Sequence, residues 1–488
     1  MTGEHADRLT GTLGRRTQRL VFGSDIADQV AELELITRVD LAHIVMLTRQ
    51  GLLGARAATA LVDEIRRLRS GGFVALRARP APRGLYLMYE SWLIERLGDE
   101  VGGMLHAGRS RNDLKATTTL LRLRSWLLDF VTEAARLQTI LLCRARAHRD
   151  VVMPVYTHFQ AAMPITYGHY LLGVAVALGR DIEAVRDAAG GLRRCPLGAC
   201  AVAGTDLPIA PEVTAALLGF DAGPVHAVDA VASRDVLLRA LSAVTGVGLT
   251  ISRLATDLQL WSTEEFGFVT FPERLVGGSS AMPQKRNAFL LEHLKAAAGV
   301  AVGAWTAAAG MIKSTPFTNT IEVGTEATGA IWPGLDAVSR AVLLAQVIAS
   351  GARPVPARMA ERARLGFTTA TSVANQLVLA GVPFRTAHHV VGAAVRTAVD
   401  DGSATLGVID LPRGRGALKS ADLAEVVAAT RVGGGPGSFD EVLAHARADA
   451  AGHAEWCRVR CSALARADRE LSAAVSALTE TDEPTWVA

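Results

Sequence analysis

From Asp113 to Met153 the chain carries no glycine and no proline, and Leu120, Leu123, Leu127, Val131, Ala134, Leu137 and Leu141 recur at steps of three and four. That is the period of one helix face. About 40 residues at about 1.5 Å each make a rod about 60 Å long, longer than a small domain is wide. The stretch "HAGRSRND" at 106–113 precedes the rod and supplies Ser110, Asn112 and Asp113 as capping side chains, and Pro154 closes it. A second proline-free run covers about Ala227 to Glu265, and a third follows from Phe289 to about Met311. The segments between them, "RCPLGACAVAGTDLPIAPE" at 194–212 and "EEFGFVTFPERLVGGSS" at 264–280, read as loops by their glycine and proline content.

This pattern predicts an all-α protein built on a bundle of long helices joined by loops that carry function. Rods of this length with mixed apolar faces are expected to be covered partly by other copies of the chain, so a homo-oligomer is expected. Residues 1–112 and 364–488 consist of shorter segments with interruptions such as "RPAPRG" at 79–84 and "VGGGPGS" at 432–438. They predict smaller helical domains flanking a central bundle at 113–363.

Composition agrees with helix over sheet: half of the 488 residues are hydrophobic and only 5% are aromatic. A net charge of +3, with arginine interleaved among aspartate and glutamate, leaves no basic face for nucleic acid or a membrane surface and still allows a small anionic substrate. The five cysteines, Cys143, Cys195, Cys200, Cys457 and Cys461, form no CxxC pair and read as reduced thiols of a cytoplasmic protein. "MTGEHADRLTGTLGRR" lacks the apolar core of a secretory signal. The apolar run "AAAGVAVGAWTAAAGMI" at 296–312 is rich in small residues and bounded by Lys295 and Lys313, which favours a buried bundle helix over a membrane span.

Three polar stretches share one character: "HAGRSRND" at 106–113, "VYTHFQAAMP" at 155–164 and "GGSSAMPQKRNAF" at 277–289. Each crowds hydroxyl, cationic or amide groups beside glycine or proline at the end of a rod. Together they offer Ser110, Arg111, Asn112, Thr157, His158, Ser279, Lys285 and Asn287, a set rich in donors for anions. Singly, each reads as a helix cap, an ordinary histidine or a plain loop. Their conjunction points to a site.

The third stretch resembles the GSSxMPxKxN signature of the fumarase/aspartase superfamily, and "HAGRSRND" resembles the HTGRSRND of argininosuccinate lyases. "YTHFQAAMPITYGHYLL", "PLGACAVAG" and "TTATSVANQLVLAGVPFRTAHHVVGAAV" at 368–395 extend the resemblance in collinear order. It implies a three-domain helical protomer, four copies joined into a twenty-helix core, active sites assembled from three chains, and neither metal nor organic cofactor. The implied reaction eliminates an amine from an N-substituted aspartate to leave fumarate. Ser279 matches the base that takes the Cβ proton, and a serine serves as base only where cations and loop N–H groups favour its alkoxide. Ser110, Arg111, Thr157, Ser280, Lys285 and Asn287 match groups that hold the succinyl carboxylates. His158 matches a histidine that sits near the leaving nitrogen or orients the water that protonates it, with Glu292 as its carboxylate partner. One departure, Ala288 where the family has proline, removes no chemistry.

The amine half differs more. Asp40 stands for the serine of SxAH, "GLYLMYE" with Tyr86 and Met88 stands for DIHxxxE, and "FTNTIEVGT" with Phe317 and Glu322 stands for YxxDxQxDK. Asn112 alone of that grip is retained. The lysine and glutamine that meet arginine's carboxylate are missing and two carboxylates have arrived, which predicts a cationic amine that is not arginine and lacks its carboxylate. The alternatives are an ordinary argininosuccinate lyase and a non-catalytic structural relative.

Overall fold

The computed structural model describes residues 14–23, 26–77, 79–410, 417–418 and 422–480; the secretory-signal reading of the N-terminus rests largely on residues 1–13, outside that set. The N-terminal part comprises α1 (Arg15–Phe22), α2 (Ile26–Arg49), α3 (Ala55–Ser70), α4 (Val74–Arg77), α5 (Leu85–Leu97) and α6 (Asp99–Gly102). Then come α7 (Arg111–Ala147), the antiparallel strands β1 (Val152–Thr157) and β2 (Gln160–Thr166), α8 (Tyr167–Ala189), α9 (Pro211–Leu217), α10 (Ala227–Ala232) and α11 (Asp235–Trp261). The strand β3 (Val269–Thr270) leads to α12 (Leu290–Ile312) and α13 (Thr328–Gly351), which a π-turn at Glu322–Ala327 introduces. The last part holds β4 (Arg353–Pro354), which pairs with β3, then α14 (Pro356–Arg364), α15 (Ala370–Leu379), α16 (Phe384–Asp400), the short strands β5 (Ile409–Asp410) and β6 (Ala417–Leu418), α17 (Leu423–Ala429) and α18 (Phe439–Thr479).

The periodic leucines of the first rod do what their spacing predicts: Leu123, Leu127, Val131, Ala134, Leu137 and Leu141 are all buried in the largest apolar cluster, where α7 packs on α8, α13 and α18 and which α11 and α12 complete. A second cluster joins α2, α3 and α5 to Leu114 and Leu121 of α7 and to the 195–220 segment. A third, smaller one holds α15 and α16.

Four local expectations are corrected. The run from Ala227 is not one rod, because the chain leaves helical geometry at Ser233 and Arg234 between α10 and α11. "VYTHFQAAMP" is a β-hairpin, where no strand was foreseen. The C-terminal part is not only short segments: α18 runs 41 residues, burying Leu443, Ala446 and Cys457 in the main cluster and Leu471 and Val475 in the N-terminal one. The Ala/Gly/Val-rich helix α12 forms, but one protomer leaves much of it uncovered, with Val300 48%, Val302 47% and Trp305 40% exposed. By length and composition α11, α12 and the 322–351 run are each apolar enough to cross a membrane. In this fold they lie side by side as bundle rods.

Candidate active site

Helix α7 begins in a fully built corner. Ser110 is its N-cap; the hydroxyl accepts from the Asn112 N–H, and Asp113 accepts from the Ser110 N–H at 2.9 Å to complete a capping box. The other Asp113 oxygen accepts from the Gly198 and Cys200 N–H groups at 3.0 and 2.9 Å, pinning the "PLGACAVAG" loop to the helix start. Two glycines make this possible. Gly108 and Gly198 both have φ near the left-handed region, at 70° and 100°, and a Cβ on either would lie 2.5 Å from Ile209 or 2.6 Å from Pro211. Asn112 bridges outward, donating to the Ala201 carbonyl and accepting from Asn319 at 3.0 Å, while Lys115 donates to Thr325 at 2.7 Å. Arg111 is exposed.

Behind this corner lies a buried network. Arg109 Nη1 sits 2.6 Å from Asp40 Oδ1 with both side chains wholly buried, Tyr89 donates to Asp40 at 2.8 Å, and Arg109 donates to the Tyr86 hydroxyl at 3.1 Å. Tyr86 in turn donates to His106 Nδ1 at 2.8 Å. Burial first, with the Arg109 charge, holds His43 well below its ordinary pKa, so the neutral ring donates from Nε2 to the Ala107 carbonyl at 2.8 Å. The assignment of Asp40, Tyr86 and Met88 to the amine pocket is therefore corrected. The Asp40 carboxylate is taken by Arg109 and Tyr89, Tyr86 is 8% exposed, and Met88 is 3% exposed within the N-terminal core. Phe317 and Glu322 are open to solvent on the segment that meets Asn112 through Asn319. The N–H of Glu322 itself, and then the Thr320 hydroxyl, hold the Glu322 carboxyl below its ordinary pKa.

The opposite end of the bundle carries the other two stretches. Thr157 pairs with Gln160 across a two-residue turn in which His158 and Phe159 both have positive φ, 51° and 62°. Neither is glycine or asparagine, so the turn is strained, and strain of this kind collects where a side chain must be presented. Phe159 beside His158 is 86% exposed. In the loop, Gly277 and Asn287 exchange two backbone hydrogen bonds of 2.8 Å and close the clasp. Within it Ser279 Oγ accepts from the Met282 and Ala281 N–H groups at 3.1 and 3.3 Å, a cradle that favours negative charge on that oxygen. Ser280 and Lys285 are exposed, and the Asn287 amide donates to the Gly278 carbonyl. Glu292 opens α12 and accepts from Gln259 at 3.2 Å; within the chain its partner is Gln259, where His158 had been expected.

One protomer thus places Ser110, Arg111 and Asn112 at one end of α7 and Thr157 and His158 beyond the other. The 37 residues of α7 separate them by about 55 Å at about 1.5 Å per residue. Helix α12 likewise runs from the Ser279 loop toward the 317–325 segment. No group of three or more His, Cys, Asp or Glu side chains among the described residues is placed to hold a metal ion.

The sequence pattern of the Lyase family matches residues 55–303, and that of the Argininosuccinate lyase C-terminal family matches residues 367–429. The argininosuccinate lyase of Methanosarcina acetivorans is 36% identical over 78% of this chain and 75% of its own length, and that of Halobacterium salinarum is 41% identical over 73% and 72%. The chain belongs to the argininosuccinate lyase family. It is a carbon–nitrogen lyase of the fumarase/aspartase superfamily that releases fumarate. Its fold is also similar to the crystal structure of EDDS lyase in complex with formate, with a TM-score of 0.84 and 28% identity over 98% of both chains. For an argininosuccinate lyase-like enzyme, the residues that motif reading passed over are Arg109, His43, Lys115 and Asn319 as joints of the α7 corner; Asp113 was read as a cap and not as the anchor of the 198–200 loop. The serine-x-x-acid spacing of Ser110 and Asp113 was the one available signal for a reciprocal cap.

Proposed function

We propose that this enzyme reversibly eliminates fumarate from an N-substituted aspartate whose amine is cationic and is not arginine, in a homotetramer with shared sites. The observation that carries the reaction is the Ser279 cradle. The alkoxide removes the Cβ proton, and the electron pair left on Cβ spreads into the adjacent carboxylate as an aci-acid. Lys285, Asn287, Thr157, Ser110, Arg111 and Ser280 hold the two succinyl carboxylates and favour that charge. The pair then forms the Cα–Cβ double bond as the C–N bond breaks, and His158, with Glu292 of a neighbouring site wall, supplies the proton that lets the amine leave. Shared sites are supported by the separation of the Ser110 corner from the Ser279 loop and the His158 hairpin, a gap that another copy would bridge. The uncovered apolar face of α12, with Leu343 and Val347 of α13 also exposed, supports the same assembly.

A non-arginine amine is supported by the loss of the lysine and glutamine of the family's amino-acid grip and by the exposed Glu322 carboxylate beside Asn319. The test is the rate of fumarate release from argininosuccinate beside that from aspartate adducts of diamines and of diamino acids. Faster release from either kind of adduct supports the reading; efficient cleavage of argininosuccinate with the others slower assigns the enzyme to ordinary arginine formation.

A further inference from the structure

Where the helix is interrupted between α10 and α11, Arg234 is 6% exposed, yet among the described residues no acid stands against it. Its Nη1 donates to the Val231 and Ser233 carbonyls, both at 2.7 Å, so the guanidinium is fixed by its own loop. The Nε is buried without a partner, and among the described residues the hydrogen bonds of this guanidinium are made by Nη1, leaving Nη2, on the same edge as Nε, without one. Two of the three aspartates that line the same cavity are occupied: Asp235 pairs with Arg239 at 2.8 Å and accepts from Ser233, and Asp221 pairs with Arg193. Burial with no counter-ion pulls the Arg234 pKa down to about 10. An Nε–Nη2 edge is the side of arginine that takes a carboxylate through two parallel hydrogen bonds, and a guanidinium left unpaired in a buried position is costly unless a ligand satisfies it.

The edge faces the site already described. Nη2 lies 4.0 Å from where a Cβ on Gly324 would stand, so the missing side chain leaves the approach open. Asn319, whose Oδ1 borders the same space, is hydrogen-bonded to Asn112, and Lys115, close enough to repel Arg234, is bonded to Thr325. Arg234 also borders a cavity of about 540 Å³ that reaches Ala116 and Thr119 of α7.

We propose that the Nε–Nη2 edge of Arg234, with Lys115 and Asn112 beside it, is a carboxylate subsite for the amine half of the substrate. The proposal rests on the elimination reading and refines it, replacing the expectation of an amine without a carboxylate: the preferred amine carries both a cationic group and a carboxylate, as a diamino acid does. The test adds amines to fumarate in matched pairs that differ only in the carboxylate, ornithine against putrescine and lysine against cadaverine. Wild-type enzyme is expected to favour the acid-bearing member of each pair in kcat/KM. In Arg234→Gln that preference is expected to fall about ten- to a hundredfold, and Arg234→Lys, which keeps the charge without the fork, to fall between. A wild-type preference for putrescine and cadaverine, or a preference unchanged in Arg234→Gln, overturns the subsite while leaving the elimination reading intact. Failure to consume fumarate with any amine overturns both.

Discussion

The two ends of the bundle are built on opposite principles. At the start of α7 the acids are spoken for: Ser110 and Asp113 cap each other, Asp113 grips the 198–200 loop, and Asp40 is held by Arg109 and Tyr89 in a core network that runs on through Tyr86 to His106. At the far end the Ser279 loop and the His158 hairpin project polar groups into solvent, the loop closed by a clasp of two backbone bonds and the hairpin by a strained turn. The closed end is a finished scaffold; under the shared-site proposal the open end is half of an interface. A carboxylate anchor costs stability when lost, whereas a presented base costs activity alone, so substitutions at the two ends should separate cleanly.

The largest effect is expected from Asp40→Ala. It leaves Arg109 buried without its partner, and breaking such a pair costs about 3–5 kcal/mol; urea unfolding should show the loss, and an unchanged midpoint would mean that the network is not closed as described. Ser279→Ala, at the open end, should lower fumarate release by about a hundredfold or more while the unfolding midpoint stays within error of wild type. Near-normal turnover in that variant would remove Ser279 from the role of base. Asp113→Asn weakens the reciprocal cap and the loop anchor together and is expected to cost about 1–2 kcal/mol, read as a lower melting temperature.

The smallest effect is one of pH. Burial first, then the charges of Arg109 and Arg111, hold His106 down at about 4, and His43 is held down more strongly by burial. Both rings bind protons more readily when the chain unfolds. Their contribution is therefore present above the ordinary histidine pKa of about 6.5 and lost as pH falls from there toward about 4. Unfolding monitored from pH 7 to pH 5 should show the midpoint falling, and His106→Gln should flatten that slope.

What the sequence made legible follows the same division. The rods were readable because leucine spacing is a local property, and the Ser110 cap because its partners lie within one turn. The hairpin was not, since His158 and Phe159 occupy positive-φ positions where turn reading looks for Asn-Gly or Asp-Gly. Asp40 was misread for a different reason: an acid on a helix does not announce that an arginine 69 positions later will neutralise it in the core. Helix α18 was missed because its arginines and acids obscure the apolar period, and packing on α7, α8, α2 and α3 holds it in place. The candidate site was legible as a set of motifs, because each motif is continuous in sequence. Its division between the two ends of one protomer was not, because that depends on how long α7 and α12 are and where they start.

That division is the central claim, and mixing two damaged proteins tests it most directly. Ser279→Ala is damaged at the open end and Arg111→Ala at the closed end, and each is expected to be nearly inactive alone. If each site takes its Ser279 loop and its Ser110 corner from different copies, dissociating and reassembling the two together will create some sites with both ends intact, and fumarate release will rise above that of either parent. Reassembled mixtures that show hybrid oligomers but no activity beyond the parents would contradict the account.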